Sequence, residues 1–152
     1  MKNKKTKVII RIVFVLYVVV ALYFLFFAGT MGRGHLKENY TYNLILFKEI
    51  KRFVKWSMVS KTGFEAMLIN VFGNVICFVP FGILLPMNFE CFRKVLSVTL
   101  VTYLVSLLVE TVQLITKTGA FDVDDILLNT LGGVIGCIIF ELAIKKKMDG
   151  CE

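Results

Sequence analysis

Apolar residues fall into four long runs, separated by shorter polar or charged stretches. The runs at residues 8–28, 66–87, 95–116 and 126–144 each approach the about 20 residues that a helix needs to cross a ~30 Å hydrocarbon core. The first run carries no charge after Arg11. Its basic leader resembles a signal peptide, but the apolar stretch is too long and Phe26-Phe27-Ala28 is a poor cleavage site, so it reads as a retained anchor. Between the first two runs, Leu46, Phe47, Ile50, Phe53, Val54 and Met58 recur at helical spacing, while Lys48, Lys51, Arg52 and Lys55 take the other face. That stripe predicts an amphipathic helix in the membrane interface, with Trp56 as an interfacial anchor. A short helix packed on the bundle's outer mouth would give the same pattern. The predicted fold is all-α, an integral membrane bundle of four transmembrane helices. Residues 1–28 form a basic leader and first anchor, 29–65 an extracytoplasmic loop with the amphipathic helix, and 66–152 a three-helix core with a short cytoplasmic tail.

Composition makes a water-soluble domain untenable. Hydrophobic residues are 57% and charged residues only 19%, against about 25% charged in soluble domains. Mean hydropathy is +0.77, which would leave large apolar patches in water. The net charge of +7 does not indicate nucleic acid. The cations flank apolar runs: Lys2, Lys4, Lys5, Lys7 and Arg11, then Arg93 and Lys94, then Lys145, Lys146 and Lys147. Four spans put both termini on one side, and the basic leader assigns that side to the cytoplasm. The four cysteines show no C-x-x-C spacing, so neither a disulfide framework nor a zinc site is expected. His35 has no partner pattern and reads as a surface residue.

Polar residues inside the runs meet at one depth. Asn70 and Asn74 are one turn apart near the start of the second span, with Gly73 between them for close approach. Ser106, Glu110 and Gln113 share a face of the third span, and Asp125 and Asn129 stand at i and i+4 in the fourth. At 1.5 Å per residue they lie within roughly 5–12 Å of one membrane surface, whichever way the protein is inserted. With Asp122 and Asp124 in the adjoining turn they predict one acidic, amide-rich pocket.

Each member also has an architectural reading. The aspartates suit the N-terminus of the fourth helix, and the asparagines suit interhelical hydrogen bonding. Glu110 resists this, because an intramembrane carboxylate is costly and marks function by default. Gly132, Gly133 and Gly136 supply a small-residue packing face, and Pro80 should bend the second span.

Three stretches, taken with these readings, resemble the VanZ-like family of small bacterial membrane proteins. They are Asn70-Val-Phe-Gly-Asn74-Val-Ile-Cys-Phe78-Val-Pro80-Phe-Gly82, Ser106-Leu-Leu-Val-Glu110-Thr-Val-Gln113 and Phe121-Asp122-Val-Asp124-Asp125-Ile-Leu-Leu-Asn129-Thr-Leu-Gly132-Gly133. Asn43-Leu-Ile-Leu-Phe47-Lys48 is similar to the family's loop motif, with Leu46 where relatives often carry proline. A basic residue that often precedes the family's acidic cluster is replaced here by Gly119 and Ala120. The resemblance implies a role in the bacterial cell envelope, associated with tolerance of teicoplanin-type glycopeptides.

Three functions are consistent with these residues. In the first, Asn70, Asn74, Glu110, Gln113, Asp122, Asp124, Asp125 and Asn129 bind an amphiphile at the outer membrane face, either a lipid-linked cell-wall precursor or a lipoglycopeptide, since acids and amides suit hydroxyl, ammonium and amide donors. The second is an enzyme acting on a lipid phosphate, with a divalent metal on Glu110, Asp122 and Asp125. No nucleophile or known metal spacing supports it, and no cofactor is expected. The third is a transporter subunit with Glu110 as proton relay, which would require a homo-oligomer. The lipid bilayer is a partner in all three and nucleic acid in none.

Overall fold

The computed structural model describes residues 4–28 and 39–145 of the chain. His35 and the ends of the leader and tail lie outside the described residues. Four helices have the length and composition to cross a membrane: α1 (Lys4–Phe26), α3 (Lys61–Asn88), α4 (Val95–Thr116) and α5 (Val123–Leu142). A fifth, α2 (Lys48–Ser57), lies between α1 and α3. The third predicted span coincides with α4. The second and fourth begin earlier than hydropathy suggested, because polar caps start them: Ser60 accepts from Gly63 N at 2.9 Å, and Asp122 accepts from Asp124 N at 2.9 Å.

Helix α5 is the centre of the bundle. Half of its apolar window is buried, and none of that of α1. It packs chiefly on α3 and α4, while α1 lies outside against α3. Gly132 and Gly136 make the α3 contact close, since a Cβ at either would meet the carbonyl oxygens of Val75 and Val79. Gly82 answers from α3 against the Gly133 carbonyl, and Gly133 faces the Thr102 hydroxyl of α4. The predicted small-residue face is therefore a packing face. Gly73 is not part of it, because a Cβ there would meet only open space. The helix runs on through Pro80 and Pro86, and its departure from α geometry is a π-turn at Leu68–Phe72.

Below these contacts Phe78, Phe81, Leu85, Val98 and Cys137 form the apolar core. Large apolar side chains such as Leu100, Leu104, Leu108 and Leu142 remain exposed on the outer surface, as a lipid-facing surface requires. Helix α2 is strongly two-faced, and Val54, Trp56 and Met58 are exposed. Ile50 and Phe53 on the same helix are half-buried, and Trp56 packs against Gly63 of α3, so its apolar side is partly covered.

One short tie fixes where α2 sits. Strands β1 (Tyr42–Asn43) and β2 (Phe121–Asp122) pair in parallel, with Asn43 opposite Asp122. Phe121 N also donates to the Thr41 carbonyl at 3.1 Å. The first loop is thereby held against the turn that joins α4 to α5.

Candidate functional site: an acidic and amide cluster at one end of the bundle

The sequence of the α4–α5 turn places three aspartates on or next to the first turn of α5, and each points to a different partner. Asp122 is the N-cap of α5. Its Oδ1 accepts from Asp124 N and also from Asn43 Nδ2 at 2.9 Å. Asp122 N in turn donates to Glu110 Oε2 at 3.0 Å, so the β2 strand is bonded to α4. Burial of Asp122 raises its pKa above the ordinary carboxylate value. The neighbouring Asp124 charge acts in the same direction, while the bonds from Asn43 and Asp124 N and the charge of Arg52 oppose it.

Asp124 does not cap its own helix. Its carboxylate reaches back 77 residues to accept from Phe47 N at Oδ1. Its Oδ2 accepts from Glu49 N at 2.9 Å and from Ile50 N at 3.3 Å. These are the free N–H groups that open α2, which need an acceptor at any helix N-terminus. Phe47 has no capping side chain of its own and stands in the left-handed region at φ 62°, a conformation that costs a non-glycine residue roughly 1–3 kcal/mol. Asp124 is the acceptor that holds it there.

Asp125 faces α3, where its Oδ1 accepts from Asn74 Nδ2 at 2.6 Å. One turn deeper, Asn129 Nδ2 donates to Ser106 Oγ at 2.9 Å, joining α5 to α4. Asn129 is 1% exposed, and its Oδ1 is buried without a hydrogen-bond partner.

Six of the eight predicted site residues thus meet at one end of the bundle: Asn74, Glu110, Asp122, Asp124, Asp125 and Asn129. Asn70 and Gln113 are turned elsewhere. Asn70 Nδ2 donates to the Ala66 carbonyl of its own helix at 2.7 Å. Gln113 Nε2 donates to the Leu25 carbonyl of α1 at 2.7 Å. Two contributors were not among the predicted site residues. In the sequence Ser106 stands out only by sharing a face with Glu110, and Asn43 only as part of the loop motif whose residues dock on Asp122 and Asp124.

The cluster is an assembly of acceptors. Glu110 and Asp125 engage one oxygen each in the bonds above, and an ionised carboxylate can accept about four. The described ion pairs are Arg52 with Glu49 and Arg93 with Glu90, neither of which involves the cluster. Its members are largely buried: Glu110 is 2%, Asp124 1% and Asn129 1% exposed, while Asp125 is half-buried. Among the described residues no group of three or more acids, histidines or cysteines stands in an arrangement that could hold a metal ion. The set Glu110, Asp122 and Asp125 therefore gains no support as a metal centre.

Fold and cluster together define a small four-span membrane protein, whose first loop folds into an amphipathic helix latched onto polar residues at one end of the bundle. The family model for VanZ/LLP1 matches residues 14–144. Protein VanZ of Enterococcus faecium is 34% identical over 113 residues, which is 71% of this chain and 68% of that protein. The chain belongs to the VanZ/LLP1 family. No solved structure matches it.

Proposed function

We infer that this protein lies in the bacterial cytoplasmic membrane with both termini inside, and that it binds an amphiphilic envelope ligand at the outer face through the acidic and amide cluster. By that binding it contributes to tolerance of teicoplanin-type glycopeptides. The ligand is a lipid-linked wall precursor or the lipoglycopeptide itself, both rich in hydroxyl and amide donors. The observation that carries this reading is Asn129, whose buried Oδ1 lacks a donor one turn below Asp125. A buried acceptor without a partner costs about 1–3 kcal/mol, which a donor admitted by movement of the α4–α5 turn would offset. Asp125 is half-buried and has only its Oδ1 engaged by Asn74, while Glu110 lies behind it at 2% exposure.

The test is antibiotic sensitivity of a susceptible bacterium expressing the wild type, Glu110→Gln or Asp125→Asn, at matched membrane abundance. The wild type raises tolerance to teicoplanin and the two variants lose most of that gain. Variants that protect as well as the wild type would make the acids packing groups. A wild type that gives no protection would remove the glycopeptide role.

A further inference from the structure

The acidic latch builds a second feature that the cluster does not use. In front of α2 lies a cleft of ≈ 450 Å³ lined by Ile45, Leu46, Phe47, Lys48, Lys51, Arg52 and Lys55. The four cations follow at i, i+3, i+4 and i+7, so they share one helical face. Their side chains are exposed, and the described ion pair among them is the one between Arg52 and Glu49. The other wall is apolar and open, with Ile45 64% and Leu46 50% exposed. Cations on one wall and bare hydrocarbon on the other match an amphiphile with an anionic head. The helix N-terminus contributes nothing to anion binding here, since Asp124 occupies it. Holding four cations on the loop between the first two spans also works against the charge bias that keeps that loop outside.

We propose that this cleft binds the phosphate group of an anionic membrane lipid, with Lys48, Lys51, Arg52 and Lys55 around the head and Ile45, Leu46 and Phe47 against the start of its tails. The proposal rests on the preceding reading in placing α2 at the ligand's entrance. It narrows the ligand class there to phosphorylated lipids, with the acidic cluster left for the donor groups beyond the phosphate.

Trp56 gives a direct readout, because it is the one tryptophan in the chain and lies on α2. The full-length protein is reconstituted in bilayers, and quenching of Trp56 by brominated phosphatidylglycerol is compared with quenching by brominated phosphatidylcholine. The wild type prefers the anionic lipid by about threefold or more, given that each cation near an anionic surface contributes on the order of a fivefold attraction. The preference falls to about one when Lys48, Lys51, Arg52 and Lys55 are all changed to Gln. It is retained in the Lys48→Arg/Lys51→Arg/Lys55→Arg protein, and also in Lys4→Gln/Lys7→Gln, which removes charge from the opposite end of α1. Equal quenching by both lipids in the wild type would overturn the proposal, as would a preference that survives the fourfold Gln change. Binding of free pyrophosphate by the protein in phosphatidylcholine bilayers, with no preference for the anionic lipid, would make the cleft a site for free anions and overturn it equally. None of these failures touches the tolerance phenotype of the Glu110 and Asp125 variants, so the two readings fall separately.

Discussion

Replacing Asp124 with alanine removes the acceptor for the N–H groups of Phe47, Glu49 and Ile50 at once. Hydrogen bonds to a charged group contribute about 1.5–3 kcal/mol each, and their loss is not additive, so roughly 3 kcal/mol of local stability should go. Hydrogen exchange at amides 47, 49 and 50 then accelerates at least about tenfold while the α4 and α5 amides keep their protection. Unchanged exchange would mean that α2 is held by something else. Asp122 gives a prediction in pH. Its pKa is raised by burial, so the folded state holds its proton more readily than the unfolded chain does. Its contribution is present in full below the ordinary carboxylate value of ~4 and is lost as pH rises through the raised folded value. Thermal unfolding in detergent should show the wild type losing stability relative to Asp122→Asn across that window. The sequence put these acids at one depth because helical rise converts spacing into depth. It could not tell which helix each would cap, since the partners of Asp124 lie 74 to 77 residues away and are brought near by the β1–β2 pairing and the Asn43–Asp122 bond.

The helices themselves were legible to within a few residues, because a lipid-facing helix must be apolar along its whole length. What hydropathy missed was the polar first turn of α3 and of α5, where capping rather than burial sets the boundary. Glycines divide in the same way. Gly136→Ala places a methyl group against the Val79 carbonyl and should destabilise the bundle by about 1–3 kcal/mol. Gly73→Ala meets nothing within 4 Å at a helical φ of -58°, and should stabilise by up to ~1 kcal/mol through the better helix former. Opposite shifts in melting temperature in detergent are the expected result. Spacing could not separate the two sites, since both glycines sit in apolar helices beside other small or polar residues.

Four spans give the molecule a sidedness. The α3–α4 turn shares one face with the start of α1 and the end of α5, and α2 and the acidic cluster lie on the other. Cys91, exposed in that turn, should react with a membrane-impermeant maleimide in inside-out vesicles of a Cys151→Ser protein and stay unlabelled in intact cells. Labelling of intact cells would invert the molecule and place the cluster inside. The cations of the leader favour this orientation, and those of α2 oppose it. Their cleft accounts for charge kept on a loop where the topological rule works against it.

Binding of an envelope amphiphile by the acidic and amide cluster is measured by titrating the protein in lipid nanodiscs with teicoplanin and with a lipid-linked wall precursor. The wild type should bind one of them, and Asp125→Asn should bind it about 10-fold more weakly, the equivalent of one lost hydrogen bond. Binding of equal strength by both proteins, or no binding of either compound by the wild type, would contradict it.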